Sequence, residues 1–216
     1  MAYDQIQHVF VLMLENRSFD HMLGYSGITG TDAETGQATK VNGPTGHETN
    51  TYNGTISTVT SPADFVMPVD PPHEFSDVLC QLCGPNATYT KGGKYPAIDN
   101  SGYVAAYTNA CAKANQPVTP GEIMKCYAPE QLPVPNALAR EYAVCDNWHA
   151  SLPGPTWPNR MFVHAASSNG LEHSLAPARL RCGRRLSRTP FRMEISSRSS
   201  VQWGCSGGSM RATTFQ

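Results

Sequence analysis

Ile6-Gln7-His8-Val9-Phe10-Val11-Leu12-Met13-Leu14 is a nearly unbroken apolar, β-branched run that stops abruptly at Glu15-Asn16-Arg17-Ser18-Phe19-Asp20. A run without polar alternation predicts a parallel strand covered on both faces. In an open α/β sheet the ligand crevice lies beyond the carboxyl ends of the strands. Glu15 and Asn16 therefore fall where a hard cation would be bound through oxygen. The competing local reading is that Glu15 pairs with Arg17 or caps a short helix after Ser18.

A second stretch bears on the same crevice. In Ser151-Leu152-Pro153-Gly154-Pro155-Thr156-Trp157-Pro158-Asn159-Arg160, prolines and a glycine stiffen the approach to one hydroxyl, and Met161 to Ser168 reads as a helix. The amides just after Thr156 would then point at whatever sits on its oxygen, a geometry suited to phosphate. Thr156 is a candidate nucleophile, and its plainer alternative is an N-cap. Upstream, Pro135 to Tyr142 predicts a helix feeding a strand from Ala143 to Trp148, with Cys145 buried in it. That strand would present Thr156 as the first presents Glu15, at one edge of a sheet.

Together with Asp70-Pro71-Pro72-His73-Glu74 and Cys145-Asp146-Asn147-Trp148-His149, these blocks resemble one family in order and spacing. It is the phosphoesterase family of phosphatidylcholine-type phospholipases C and related acid phosphatases, and the likeness runs from Met1 to about Ser174. The resemblance implies an alkaline-phosphatase-like α/β fold, with a mainly parallel sheet flanked by helices. It also implies a hydrolase that cleaves phosphate esters through a covalent phospho-enzyme with one divalent metal ion of unspecified identity. By the family pattern Glu15 and Asn16 are metal ligands, Thr156 is the metal-bound nucleophile, and His73 and Asn159 contact the phosphoryl oxygens. Some relatives carry Ser where this chain has Thr156. The implied partner is a small-molecule or phospholipid phosphate ester, with peripheral contact to lipid and no nucleic acid.

The residue types suit that chemistry. A threonine hydroxyl is a weak nucleophile at neutral pH, and a cation aided by the positive end of a helix lowers its pKa. Asn159, three residues on, lies one helical turn away and can donate from its amide without adding charge. His73 can give a hydrogen bond or a proton to the leaving oxygen.

After about His173 the composition changes. Residues 1–174 carry 8 Lys+Arg against 16 Asp+Glu, whereas residues 175–216 carry 8 Arg, no Lys and Glu194 alone among acids, so a body at net −8 joins a tail at +7. Phe191, Ile195, Val201, Trp203 and Phe215 are too sparse and aperiodic to predict core strands. A basic arm for nucleic acid or acidic lipid would mix Lys with Arg. The Arg/Ser-rich, Lys-free composition matches a segment read out of frame, not native to the fold. The resemblance further implies two metal-binding aspartates and several histidines from a later half. No Asp follows Asp146, and the later histidines are His164 and His173. Glu15, Asn16 and Thr156 supply three ligands where a hard cation wants about six. The expectation is a truncated phosphoesterase, and its rival is a non-catalytic phosphate-binding remnant.

Elsewhere the chain is loop-rich, with Gly 18 and Pro 17 in 216 residues. No run of about 18 apolar residues predicts a transmembrane helix, and the N-terminus lacks the basic region of a signal peptide. Cys80-Gln81-Leu82-Cys83 has zinc or redox spacing but no completing motif, so it reads as a local disulfide or free thiols. Gly24 to Pro62 predicts a long excursion with a hairpin. Thr119-Pro120-Gly121-Glu122 predicts a capped helix through Cys126.

Overall fold

The computed structural model describes residues 7, 8, 10–13 and 17–174, together with the strand segments 192–195, 199–206 and 209–215. Two compact units share these residues: Met1–His47, Thr60–Asp64 and Lys125–Asp146 in the first, and Glu48–Val59, Phe65–Met124 and Asn147–Gln216 in the second.

The first unit opens with a short helix, α1 (Phe19–Leu23), whose N-cap Ser18 accepts the His21 N–H at 3.2 Å. A two-stranded antiparallel ribbon follows, β1 (Thr29–Thr31) with β2 (Ala38–Lys40), in the register Thr29↔Lys40. Asp32 folds its turn by accepting from the Glu34 and Thr35 amides and the Thr35 hydroxyl. Close backbone approach requires glycine at 43, because a Cβ there would stand 2.1 Å from the Gly24 carbonyl oxygen. The buried Cys126 and Tyr127 tie distant segments together, their amides donating to Thr60 and His21 carbonyls at 2.8 Å each. Gln131 adds a donor to the Ala63 carbonyl at 2.7 Å. Helix α4 (Pro133–Glu141) starts on proline, which has no N–H to leave unpaired at a first turn.

The second unit is organised on α3 (Tyr103–Lys113), which buries Val104, Ala105, Ala106, Tyr107 and Cys111. Helix α2 (Phe75–Cys83) packs against it, so closely that a Cβ on Gly102 would meet the Cys80 carbonyl oxygen at 1.8 Å. The hairpin β3 (Thr49–Tyr52) and β4 (Thr55–Thr58) turns on Asn53-Gly54, both at positive φ, the conformation that suits a two-residue hairpin loop. From β3 the buried Asn50 accepts the Val104 N–H at 3.0 Å and donates to the Asn100 carbonyl at 2.8 Å, so a strand side chain serves the first turn of α3. Helix α5 (Thr156–Ala165) completes the helical part. Strands β5 (Arg192–Ile195), β6 (Ser199–Ser206) and β7 (Ser209–Phe215) form an antiparallel meander in order β5-β6-β7.

The mixture of helices and strands accords with an α/β class, and the excursion after Gly24 holds two hairpin-like ribbons. The mainly parallel sheet is not formed among the described residues. All their sheets are antiparallel, and the one parallel pairing is the isolated bridge Thr60↔Lys125. Within Ile6–Leu14 the described residues form no strand, and Phe10 and Leu12 are 94% and 84% exposed. A buried parallel strand needs a ladder on each edge and cover on both faces, and no described segment supplies them. Ala143 to Trp148 is likewise a loop, with Cys145 exposed rather than buried. The helix expected from Thr119 to Cys126 is a 3-10 turn, Pro120–Met124. In the tail, a ladder of backbone hydrogen bonds forms without apolar periodicity in the sequence.

Two outcomes follow for stability. Asn50→Ala strands the buried Val104 N–H and is expected to cost about 1–3 kcal/mol in urea unfolding. His21 lies edge-on to Tyr127 at 4.6 Å, and burial, then the Arg17 charge, lowers its pKa from 6.5. Between 6.5 and that lower value the unfolded chain binds a proton that the folded chain refuses. The contribution of His21 is therefore complete above 6.5 and is lost as pH falls through the window. His21→Gln is expected to flatten the urea midpoint over that range.

Candidate functional site

Thr156 is the first residue of α5, and the N-cap is Pro155 at φ −73°, ψ 173°. The hydroxyl is therefore not an N-cap, and no side chain caps this helix start. Four amides are normally unpaired at a helix N-terminus. Proline at the cap and at position 158 removes two, leaving those of Thr156 and Trp157. Pro155 and Pro158 are both fully buried, so the threonine is held between two anchored rings while it stays half-buried itself. The arrangement offers an oxygen nucleophile beside two amide donors that favour an anion.

Asn159 faces the approach loop. Its Oδ1 accepts the Leu152 N–H at 3.0 Å, and its Nδ2 lies 3.0, 3.2 and 3.1 Å from the carbonyl oxygens of Leu152, Gly154 and Pro155. A contact with a phosphoryl oxygen would require the amide to leave these partners.

His73 is exposed, just before α2. Its Nδ1 lies 2.9 Å from the Pro71 carbonyl oxygen and 3.8 Å from Asp70 Oδ2. A carbonyl only accepts, so Nδ1 carries hydrogen, and Nε2 can deliver a proton only when it is protonated as well. The neighbouring Glu74 reaches the chain beyond α5: its Oε2 accepts the Ser174 N–H at 3.2 Å. Glu172 pairs with Lys91 at 3.4 Å, and its carbonyl oxygen lies 3.8 Å from where a Gly154 Cβ would stand. Residues 172–174 thus touch the Thr156 loop on one side and the His73 segment on the other, all within the second unit.

Glu15 and Asn16 lie outside the described residues. Asp146 accepts the Asn42 N–H at 2.8 Å and belongs to the first unit. Among the described residues no three His, Cys, Asp or Glu side chains gather to hold a metal ion. The described donors alone, Thr156 chief among them, are too few for a divalent cation, which wants about six oxygen ligands. Cys80 and Cys83 are free thiols on α2, reaching the Gly102 and Pro96 carbonyls at 3.9 Å each. Burial, then the Asp77 charge, raises the Cys80 pKa, an environment for an inert thiol.

With Thr156 placed at a helix start and Glu74 reaching Ser174 beyond α5, kinship bears on the assignment. Residues 6–197 match the phosphoesterase family. The chain belongs to that family. The match runs past Ser174, where the resemblance of the sequence blocks ended. Non-specific phospholipase C6 of Arabidopsis thaliana is 38% identical over 169 residues, which are 76% of this chain and 28% of that protein. Non-specific phospholipase C3 of the same plant is 33% identical over 174 residues, 76% of this chain and 30% of the relative. Phospholipase C B of Mycobacterium tuberculosis is 29% identical over 170 residues, 74% and 30% of the two chains. This phosphoesterase chain thus spans under a third of the length of the relatives it matches.

Sequence reasoning missed Glu74 and the loop-facing role of Asn159. The signal for the second was present in the scarcity of N–H groups between Leu152 and Pro158. Glu74→Ala, which frees the Ser174 N–H, is expected to cost about 1 kcal/mol and to speed exchange of that amide, while Glu74→Gln keeps an acceptor and most of the stability. Hydrogen exchange and urea melts on the two variants measure both.

Proposed function

We propose that this chain carries the nucleophile part of a phosphoesterase site of phospholipase C or acid-phosphatase type. The supporting observation is Thr156 at the first position of α5, with two unpaired amides beside it. The Thr156 Oγ loses its proton to solvent and bonds to phosphorus as the ester P–O bond breaks, the ester oxygen leaves with a proton from His73 Nε2, and water then attacks phosphorus, giving one proton to His73 and one to Thr156 Oγ as the phosphate product leaves. The Thr156 and Trp157 amides take up charge on the phosphoryl oxygens. In this reading Glu15 and Asn16 are metal ligands, as the family pattern implies. A divalent cation would activate the hydroxyl, and the set in this chain is incomplete for it. The full-length domain carries the alkaline-phosphatase-like sheet in which Ile6–Leu14 is a buried strand. The substrate is a phospholipid or small-molecule phosphate ester met at or near a lipid surface. The Arg/Ser-rich segment 175–216 is a departure from that domain, through a shifted reading frame.

A second reading has one observation in its favour. With no acidic cluster among the described residues, the chain binds phosphate without turning it over.

Hydrolysis of nitrophenyl phosphate tests the assignment. The chain alone is expected to stay near background with any divalent cation added. When the later ligand-bearing half is supplied, Thr156→Ala should abolish phospho-enzyme formation and Thr156→Ser should retain it. Phospho-enzyme formation by the Thr156→Ala variant would refute the nucleophile.

A further inference from the structure

The segment between α2 and α3 differs in charge from the body around it. Residues 1–174 carry 16 acids against 8 bases, yet residues 78–98 hold Lys91 and Lys94 and no acid. The two lysines flank a turn of fixed shape. The Gly93 N–H closes residues 90–93 by donating to the Thr90 carbonyl at 2.8 Å, and the Gly92 N–H donates to the Tyr89 hydroxyl at 3.2 Å. Gly92 sits at φ 81°, which a side chain would strain. On either side of the turn, Tyr89 and Tyr95 stack at 4.4 Å with their planes 6° apart, and Phe75 lies 5.5 and 6.4 Å from the two rings. Tyr95 nevertheless stays 49% exposed, and Ile98 65%.

This loop adjoins the candidate site. Phe75 directly follows His73 and Glu74, Lys91 pairs with Glu172 at 3.4 Å, and the Glu172 carbonyl oxygen borders Gly154 in the approach to Thr156. A tyrosine ring with an apolar body and a wet hydroxyl settles at the boundary of a bilayer, and an ammonium group is drawn to anionic headgroups. We propose that residues 89–98 form the face by which this chain docks on a lipid surface bearing anionic headgroups, with Tyr95 and Ile98 entering the boundary beside Lys91 and Lys94. The inference rests on the reading that the substrate is a phosphate ester held in such a surface. A body at net −8 is repelled by anionic lipid as a whole, so a lysine pair free of neighbouring acids in sequence decides which side approaches. Glu172 shares Lys91, which leaves Lys94 the larger part of the attraction.

Nuclear magnetic resonance on the full chain with lipid nanodiscs tests the docking face. The discs contain phosphatidylcholine and phosphatidylserine with a spin-labelled phosphatidylcholine, and control discs lack phosphatidylserine. The Gly92, Gly93, Lys94 and Ile98 amides are expected to broaden on the anionic discs and to sharpen as salt is added. The arginines of residues 175–216 also attract anionic lipid, so the signals are read residue by residue. Lys94→Gln should weaken the affinity reported by the loop amides about fivefold, and Ile98→Ser should lessen their broadening. Both positions are exposed, and urea midpoints show whether each variant keeps its fold. Broadening confined to residues 175–216 would overturn the proposal, as would equal broadening on the control discs. Broadening of the loop amides with protein concentration alone would assign the face to a second copy and overturn it as well. Inorganic phosphate reads the reacting site separately. Shifts at the Thr156 and Trp157 amides without loop broadening sink the docking face alone, and loop broadening without those shifts sinks the nucleophile reading alone.

Discussion

Side-chain carboxamides stand in for missing backbone donors throughout this chain. With 17 prolines in 216 residues, many carbonyls face segments that have no N–H to offer. Gln81 donates to the Pro72 carbonyl at 2.7 Å, Gln131 to Ala63 at 2.7 Å, and the buried Asn136 to Leu132 at 2.9 Å. Asn50 does the same between β3 and the approach to α3, and Asn159 does it three times over at the start of α5. Each unpaired buried carbonyl would cost on the order of 1–3 kcal/mol, so these five side chains decide whether the irregular segments hold one shape. The candidate site depends on this substitution, because the threonine sits at the end of the most donor-poor loop.

That dependence separates what could be read from sequence from what could not. Helix α5 was legible because a proline-flanked threonine followed by Met161 to Ser168 carries its own start signal, although the helix begins five residues earlier than its apolar pattern. Helix α4 was legible apart from its start, at Pro133 rather than Pro135, whereas the helix expected from Thr119 to Cys126 forms only the 3-10 turn Pro120–Met124. The parallel sheet was not, because a strand's existence depends on partners far away in sequence. Ile6–Leu14 has the composition of a covered strand, and composition alone provides no neighbour. Asn159 was singled out through family resemblance. Its orientation was not, since an amide one turn from a nucleophile can face a ligand or the loop with equal sequence support.

The two proposed halves of the site stand differently. Thr156, Asn159 and His73 are joined within one unit through residues 172–174, by the Glu74–Ser174 hydrogen bond and the approach of Gly154 to Glu172. Glu15 and Asn16 lie beyond the described residues, and their place in the proposal rests on the pattern of the sequence blocks. The first half is a matter of local stereochemistry, and the second requires the longer domain found in the matched relatives.

The exposed run around Phe10, Val11 and Leu12 has a consequence for the chain in solution. A short β-branched apolar segment that pairs with no strand among the described residues is a template for pairing with another copy of itself. Its removal from water is favoured by about 25 cal/mol per Å² of apolar surface, whichever chain supplies the cover. Self-association would then compete with folding as concentration rises, and the exposed Phe10, Val11 and Leu12 become an aggregation hazard.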